Sequence, residues 1–126
     1  MERLFIKETL NSPRVILDST KKRFEIAGKS FPENAKAFYQ PVIDWLKDVP
    51  APASEKIRLS IMLDYISSSS VISLKQVLAK IKTANANGAN IEVLWHYDAS
   101  DPDMKEIGEE YEKVVGMKLE FVEQPA

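Results

Sequence analysis

Residues 56–66, KIRLSIMLDYI, place Ile57, Leu59, Ile61, Leu63 and Tyr65 at every second position, the period of a strand with one buried face. Met62 and Ile66 interrupt the polarity of its other face. The period then changes: Val71, Leu74, Val77, Leu78 and Ile81 recur at helical spacing, and Asn87-Gly88 supplies a stop. NIEVLWHY, residues 90–97, is apolar on both faces and reads as a central strand. Asp101 then caps a helix with Pro102 at its first position, a buried stripe of Met104, Ile107, Tyr111, Val114 and Val115, and an end at Gly116. MKLEFVE, with Met117, Leu119 and Phe121 alternating, makes the last strand. A strand–helix–strand–helix–strand succession demands right-handed crossovers and at least partly parallel pairing. Few architectures satisfy that.

The first half adds a different pattern. RLFIKET, RVILDS and RFEIAG read as three strands of an antiparallel meander, split by Asn11-Ser12-Pro13 and by TKK, the third closing on Gly28. In SFPENAKAFYQPVIDWLKDV, Phe38, Val42, Trp45, Leu46 and Val49 mark a helix, which Pro41 is expected to kink or divide. Pro50–Ser54 reads as a loop. The predicted fold is therefore α/β (α+β): one mixed sheet of about six strands with three to four helices, in the order β-β-β-α-β-α-β-α-β. One domain over residues 1–126 is expected, since 44% hydrophobic residues fill a single core.

Several function classes fall away. The net charge of −2 gives no global attraction to nucleic acid or anionic membrane, and the KKR run at Lys21–Arg23 reads as solvated turn charge. With no cysteine, disulfides, thiolate catalysis and Cys-based zinc sites are excluded. No stretch reaches the ~18 apolar residues of a membrane span, and MERLFIKETL lacks the basic start of a signal peptide, so a cytoplasmic location is expected. Gly28, Gly88, Gly108 and Gly116 are scattered, without a phosphate-cradling cluster. No cofactor and no metal are expected.

Two groups of residues invite chemistry. His96, the only histidine, lies two positions before Asp98 on one strand face, which permits an acid–base dyad, although no nucleophile is linked to it. The carboxylates of DASDPDMKEIGEEYE lack calcium-loop spacing and read as a solvated helix face, with Asp101 and Asp103 complementing the helix dipole. The second group is the run Ser67–Ser70 in LDYISSSSV. On the wheel of the following helix, Ser67 and Ser70 fall within the apolar arc, while Ser68 and Ser69 fall on the exposed arc, which Ile72 shares. Unpaired backbone donors and the positive dipole end converge there, so a phosphate at Ser68 or Ser69 is locally favoured. One serine capping the helix and three filling its first turn is the simpler alternative.

The combination of PEN at Pro32–Asn34, a helical Trp, DYISSSSV, WHYD at Trp95–Asp98 and GEEYEKV, in this order, resembles the SiaC family of regulatory phosphoproteins. The resemblance spans nearly the whole chain; its motif residues are Pro32, Glu33, Asn34, Tyr65, Trp95, His96, Tyr97 and Asp98. It implies a fold similar to the STAS domains of anti-sigma-factor antagonists and a switch protein, not an enzyme. In the family a threonine in a Tyr-x-Asn-Thr-Ser-Ser stretch is phosphorylated by a dedicated serine/threonine kinase and restored by a PP2C-type phosphatase. The unphosphorylated form activates a diguanylate cyclase, which raises cyclic di-GMP and promotes biofilm formation. Matched on Tyr65, Ser67 takes the place of the Asn, Ser68 of the Thr, and Ser69 and Ser70 of the two serines; Ile72 replaces a typically basic residue.

The resulting expectation is a partner-switching phosphoprotein with its phosphate on Ser68, or alternatively on Ser67 or Ser69. Its partner interface is expected to comprise Ser68, Ser69, Ile72 and Lys75. An anti-sigma-factor antagonist that binds an anti-sigma kinase is one rival; a small enzyme using His96 and Asp98 is the other.

Overall fold

The computed structural model describes residues 3–53 and 55–125, so Ser54, the end of the expected loop, lies outside the described residues. The elements are β1 (Leu4–Ile6), β2 (Arg14–Asp18), β3 (Arg23–Ser30), α1 (Ala35–Lys47), β4 (Ile57–Ile66), α2 (Ser68–Ala86), β5 (Ile91–Asp98), α3 (Pro102–Tyr111) and β6 (Glu120–Gln124). Their order is the predicted one. The strands form one six-stranded sheet whose order in space is their order in the chain. β1, β2 and β3 pair antiparallel, and β3, β4, β5 and β6 pair parallel.

That topology fixes the layering. Right-handed crossovers that always advance in one direction put every helix on the same face. The register shows it: Ile6, Val15, Ile26, Ile61, Trp95 and Phe121 are successive cross-strand neighbours on one face. Beside that row Phe24 stacks against Trp45 of α1, and within it Trp95 stacks edge-on against Tyr111 of α3. Trp95 Nε1 also donates to the Met104 carbonyl at 2.9 Å. Leu74, Val77, Leu78 and Ile81 of α2 complete this core and are fully buried. The opposite face carries no helix among the described residues.

Five local expectations are corrected. β3 does not close at Gly28 but continues to Ser30, because Gly28 adopts φ 124° and passes through an irregularity in the ladder. There Gly28 pairs with Leu63 and Lys29 with Tyr65, leaving Asp64 as an extra residue on β4. Such a bulge reverses the sense of the side chains beyond it. Tyr65 is therefore 52% exposed, and Ile66 turns to the core in its place.

Pro41 sits inside a single helix α1. Its ring and Ala37, whose carbonyl loses its donor, are both on the exposed side, so that carbonyl is not sealed away from solvent. Val114 is 50% exposed, because residues Glu112–Gly116 form a π-helical turn that rotates it outward and keeps Val115 inside. The last strand begins at Glu120, so Met117 and Leu119 pack from the preceding connection.

Candidate functional site

The serine run stands where β4 ends and α2 begins, directly above the end of β3. Ser67 N–H donates to the Ser30 carbonyl at 2.8 Å, and the Ser67 hydroxyl accepts from Ser70 N–H at 3.2 Å. Ser67, extended at φ −78° and ψ 163°, is thus the N-cap of α2. Ser70 is fully buried, as its position on the wheel requires.

Its hydroxyl belongs to a chain that the sequence reading missed. Ser30 Oγ lies 2.6 Å from Tyr39 Oη and donates to Ser70 Oγ at 2.8 Å; Ser67 Oγ donates to Ser70 Oγ at 3.1 Å. Burial pushes the Tyr39 phenol up to about 12, so it stays protonated and available as a donor. β3, α1 and α2 are thereby tied together by four hydroxyls under the start of α2. Small polar residues at Ser30 and Ser70, forty positions apart, carried no local signal that they would meet.

Ser68 and Ser69 are exposed, at the first two positions of a 19-residue helix. α1 and α2 both follow strands of the parallel half, so their capped N-termini lie at the same edge of the sheet, with Asn34 Oδ1 accepting from Ala37 N–H at 3.1 Å on α1. A hollow of about 570 Å³ opens between them, lined by Glu33, Asn34, Ala35, Lys36, Ser69, Ile72 and Ser73. Ser69 and Ile72 thus meet in one hollow, whereas Ser68 and Lys75 are exposed on α2 outside its lining. Ile72 is 65% exposed. On the other flank of the run, the exposed Phe31 stacks edge-on against Tyr65 with ring centres 5.5 Å apart.

The remaining motif residues divide between structure and surface. Pro32 is half-buried, Glu33 is exposed, and Asn34 is the cap just described. Trp95 is core; the Tyr97 hydroxyl donates to Glu123 at 3.4 Å. His96 and Asp98 border one open hollow of about 340 Å³, each engaged elsewhere. His96 Nδ1 is 2.9 Å from Gln124 Nε2, and Asp98 Oδ1 accepts from the Ser100 hydroxyl at 2.7 Å and from its N–H at 2.8 Å. Burial lowers the imidazole and the Ser100 hydrogen bonds lower the carboxyl, the first favouring the neutral ring and the second the carboxylate. Among the described residues no cluster of three His, Cys, Asp or Glu fit to hold a metal occurs, and no helix is long and apolar enough to cross a membrane.

Comparison with known proteins agrees with this architecture. A family model described as SiaC family regulatory phosphoprotein matches residues 6–124. A curated protein of Pseudomonas aeruginosa strain UCBPP-PA14, called Uncharacterized protein PA14_02130, is 29% identical over 111 residues, covering 88% of each chain. Apo-SiaC from Pseudomonas aeruginosa, a crystal structure, superposes with a TM-score of 0.83 at 27% identity over 98% of this chain and 99% of that one. The crystal structure of the diguanylate cyclase SiaD in complex with its activator SiaC, from the same organism, matches with a TM-score of 0.82 at 27% identity over the same shares.

Proposed function

The chain belongs to the SiaC family of regulatory phosphoproteins, and from that premise we propose that it is a non-enzymatic, cytoplasmic partner switch thrown by phosphorylation of Ser68. A serine/threonine kinase adds the phosphate and a PP2C-type phosphatase removes it. The unphosphorylated form holds and activates an output enzyme, a diguanylate cyclase by analogy with the SiaD–SiaC complex, and so raises cyclic di-GMP. The observation that carries the reading is the division of labour in the serine run: Ser67 and Ser70 are committed to the cap and the buried chain, leaving Ser68 and Ser69 as the exposed hydroxyls.

Magnitudes favour a blocked interface over a refolded domain. A phosphate at a helix N-terminus gains roughly 0.3–2 kcal/mol from the dipole. Driving a two-state fold from 1:99 to 99:1 takes about 5.5 kcal/mol. Pressing an unpaired dianion into a partner costs several kcal/mol by desolvation alone. The backbone is therefore expected to be nearly the same with and without phosphate, and the partner to be lost.

Intact-mass and phosphopeptide analysis of the protein from its native host tests the reading. One phosphate on Ser68, absent in Ser68→Ala, is expected; a chain that carries no phosphate on Ser67, Ser68 or Ser69 under any growth condition would sink it. Co-purification with an anti-sigma kinase in place of a cyclase would shift the reading to an anti-sigma-factor antagonist.

A further inference from the structure

Among the described residues α2 is the one α-helix that carries a single sign of charge. Residues 67–90 contain Lys75, Lys80 and Lys82 and no carboxylate, in a chain with 19 acidic residues and a net charge of −2. Three hollows follow one another along the crevice between α1 and α2. The first holds Ser69, Ile72 and Lys36; the second, of about 450 Å³, holds Ile72, Ile43 and Lys36; the third, of about 300 Å³, holds Lys47 and Lys80. Lys47 is paired with Asp44 at 3.3 Å, whereas neither Lys36 nor Lys80 meets a carboxylate among the described residues. Glu33, at the head, is the one acid among the residues that line the three.

We propose that this crevice seats an acidic amphipathic helix of the output partner. Its length fits: from Ser69 to Thr83 α2 rises about 21 Å, or four turns. Ile43 and Ile72 answer an apolar stripe at i, i+3, i+4 spacing, and Lys36 and Lys80 answer carboxylates on its flanks. The open face of the sheet makes a poorer seat for a charged partner. Its Arg14 and Arg23 are already bonded to Glu25, and its Arg58 to Glu92 and Glu120, so among the described residues these three arginines are already matched by carboxylates of the same face.

The crevice also gives the switch its electrostatic half. A phosphoryl group adds about −1.5 to −2 charges at neutral pH. On Ser69 it arrives in the hollow that Lys36 also lines, where it neutralises that cation; on Ser68 it stands one position away in the same helix turn, outside the lining, and from there repels the helix's carboxylates. This inference rests on the switch reading, and the experiment separates the two.

The full-length chain is expressed in its native host with the photo-crosslinker benzoylphenylalanine at position 43, 72 or 94, the last being Leu94 on the open face. Crosslinked partner peptides are then sequenced. Positions 43 and 72 are expected to capture one helical segment of net negative charge in an output enzyme, and position 94 none of it. The double variant Lys36→Glu/Lys80→Glu, its fold checked by circular dichroism, is expected to bind that enzyme at least ten-fold more weakly. Capture from position 94 alone, a neutral or basic segment at 43 and 72, or unweakened binding by the double variant overturns the crevice and leaves the switch standing. Capture of no output enzyme from any position overturns both.

Discussion

On the helix side of the sheet the central cross-strand row reads Ile6, Val15, Ile26, Ile61, Trp95, Phe121; one residue further along, on the open side, it reads Arg14, Ala27, Met62, His96, Val122. Parallel strands are nearly always covered on both faces, and the parallel strands β3–β6 here are covered by helices on one. The open side compensates with charge. Glu25, only 8% exposed, accepts from Arg14 at 2.7 Å and Arg23 at 2.9 Å, and Glu92 is bridged by Lys56 and Arg58. Ile16, Met62 and Leu94 on this face are half-buried, and Arg14, Arg23 and Arg58 of the ion pairs keep side chains 39%, 58% and 57% exposed. A lattice of ion pairs takes the place of a second helical layer, and it is a thinner cover. The contrast places rigidity on one side and adaptability on the other.

The sharpest way to break this contrast uses two adjacent residues of β4. Ile61→Ala, on the covered face, is expected to cost about 2–5 kcal/mol in a urea titration, and Met62→Ala, on the open face, under about 1 kcal/mol. Equal losses would mean that the open face is buried in solution. Next in size is Gly108→Ala. A Cβ there would come within 2.6 Å of the Trp95 ring and 2.8 Å of Phe121, so α3 must lift from the sheet. Destabilisation of about 1–3 kcal/mol is expected, with a change in tryptophan fluorescence.

Glu25→Gln is expected to cost about 1 kcal/mol at neutral pH. Burial raises the Glu25 carboxyl, but hydrogen bonds from Arg23 and Arg14 outweigh it and leave it below its ordinary 4.5. A carboxyl held low in the folded state stabilises above its unfolded pKa and loses that contribution as pH falls through the folded value. The wild type should therefore lose its advantage over Glu25→Gln as the pH drops below about 4.5; parallel acid titrations of the two would refute the pairing. Smallest of all, Arg58→Ala should leave the thermal midpoint unchanged within error, since its ion pairs are exposed. A measurable drop would show that the lattice acts as a unit.

The alternation in β4 and the stripes of α2 and α3 were legible because burial on one face imposes a period on local sequence. That period also placed Ser68 and Ser69 outside and Ser70 inside. It failed wherever a distant partner changed the geometry. Tyr65 continues the alternation of Leu59, Ile61 and Leu63, yet it points outward because pairing with β3 inserts Asp64. Val114 lies at the right helical angle for the core until the π-helical turn shifts it. Pro41 was expected to kink or divide its helix because its backbone cost is local; α1 is not divided, and the solvent exposure of Pro41 is a tertiary property. The emptiness of one sheet face was hidden in NIEVLWHY, whose Leu94 looks like core and lies half-buried on the open face beside Glu120.

A sheet whose spatial order is its chain order also has a history during synthesis. No strand has to be inserted between two earlier ones, so a chain emerging from the ribosome can complete the β1–β3 meander and then lay β4, β5 and β6 along its growing edge. The N-cap at Ser67 hangs from the Ser30 carbonyl, the last residue of that meander, and so forms once β4 has docked. Ser68 and Ser69 therefore take up their exposed positions only on a chain whose first four strands are assembled. A kinase that reads this surface would also be inspecting the fold.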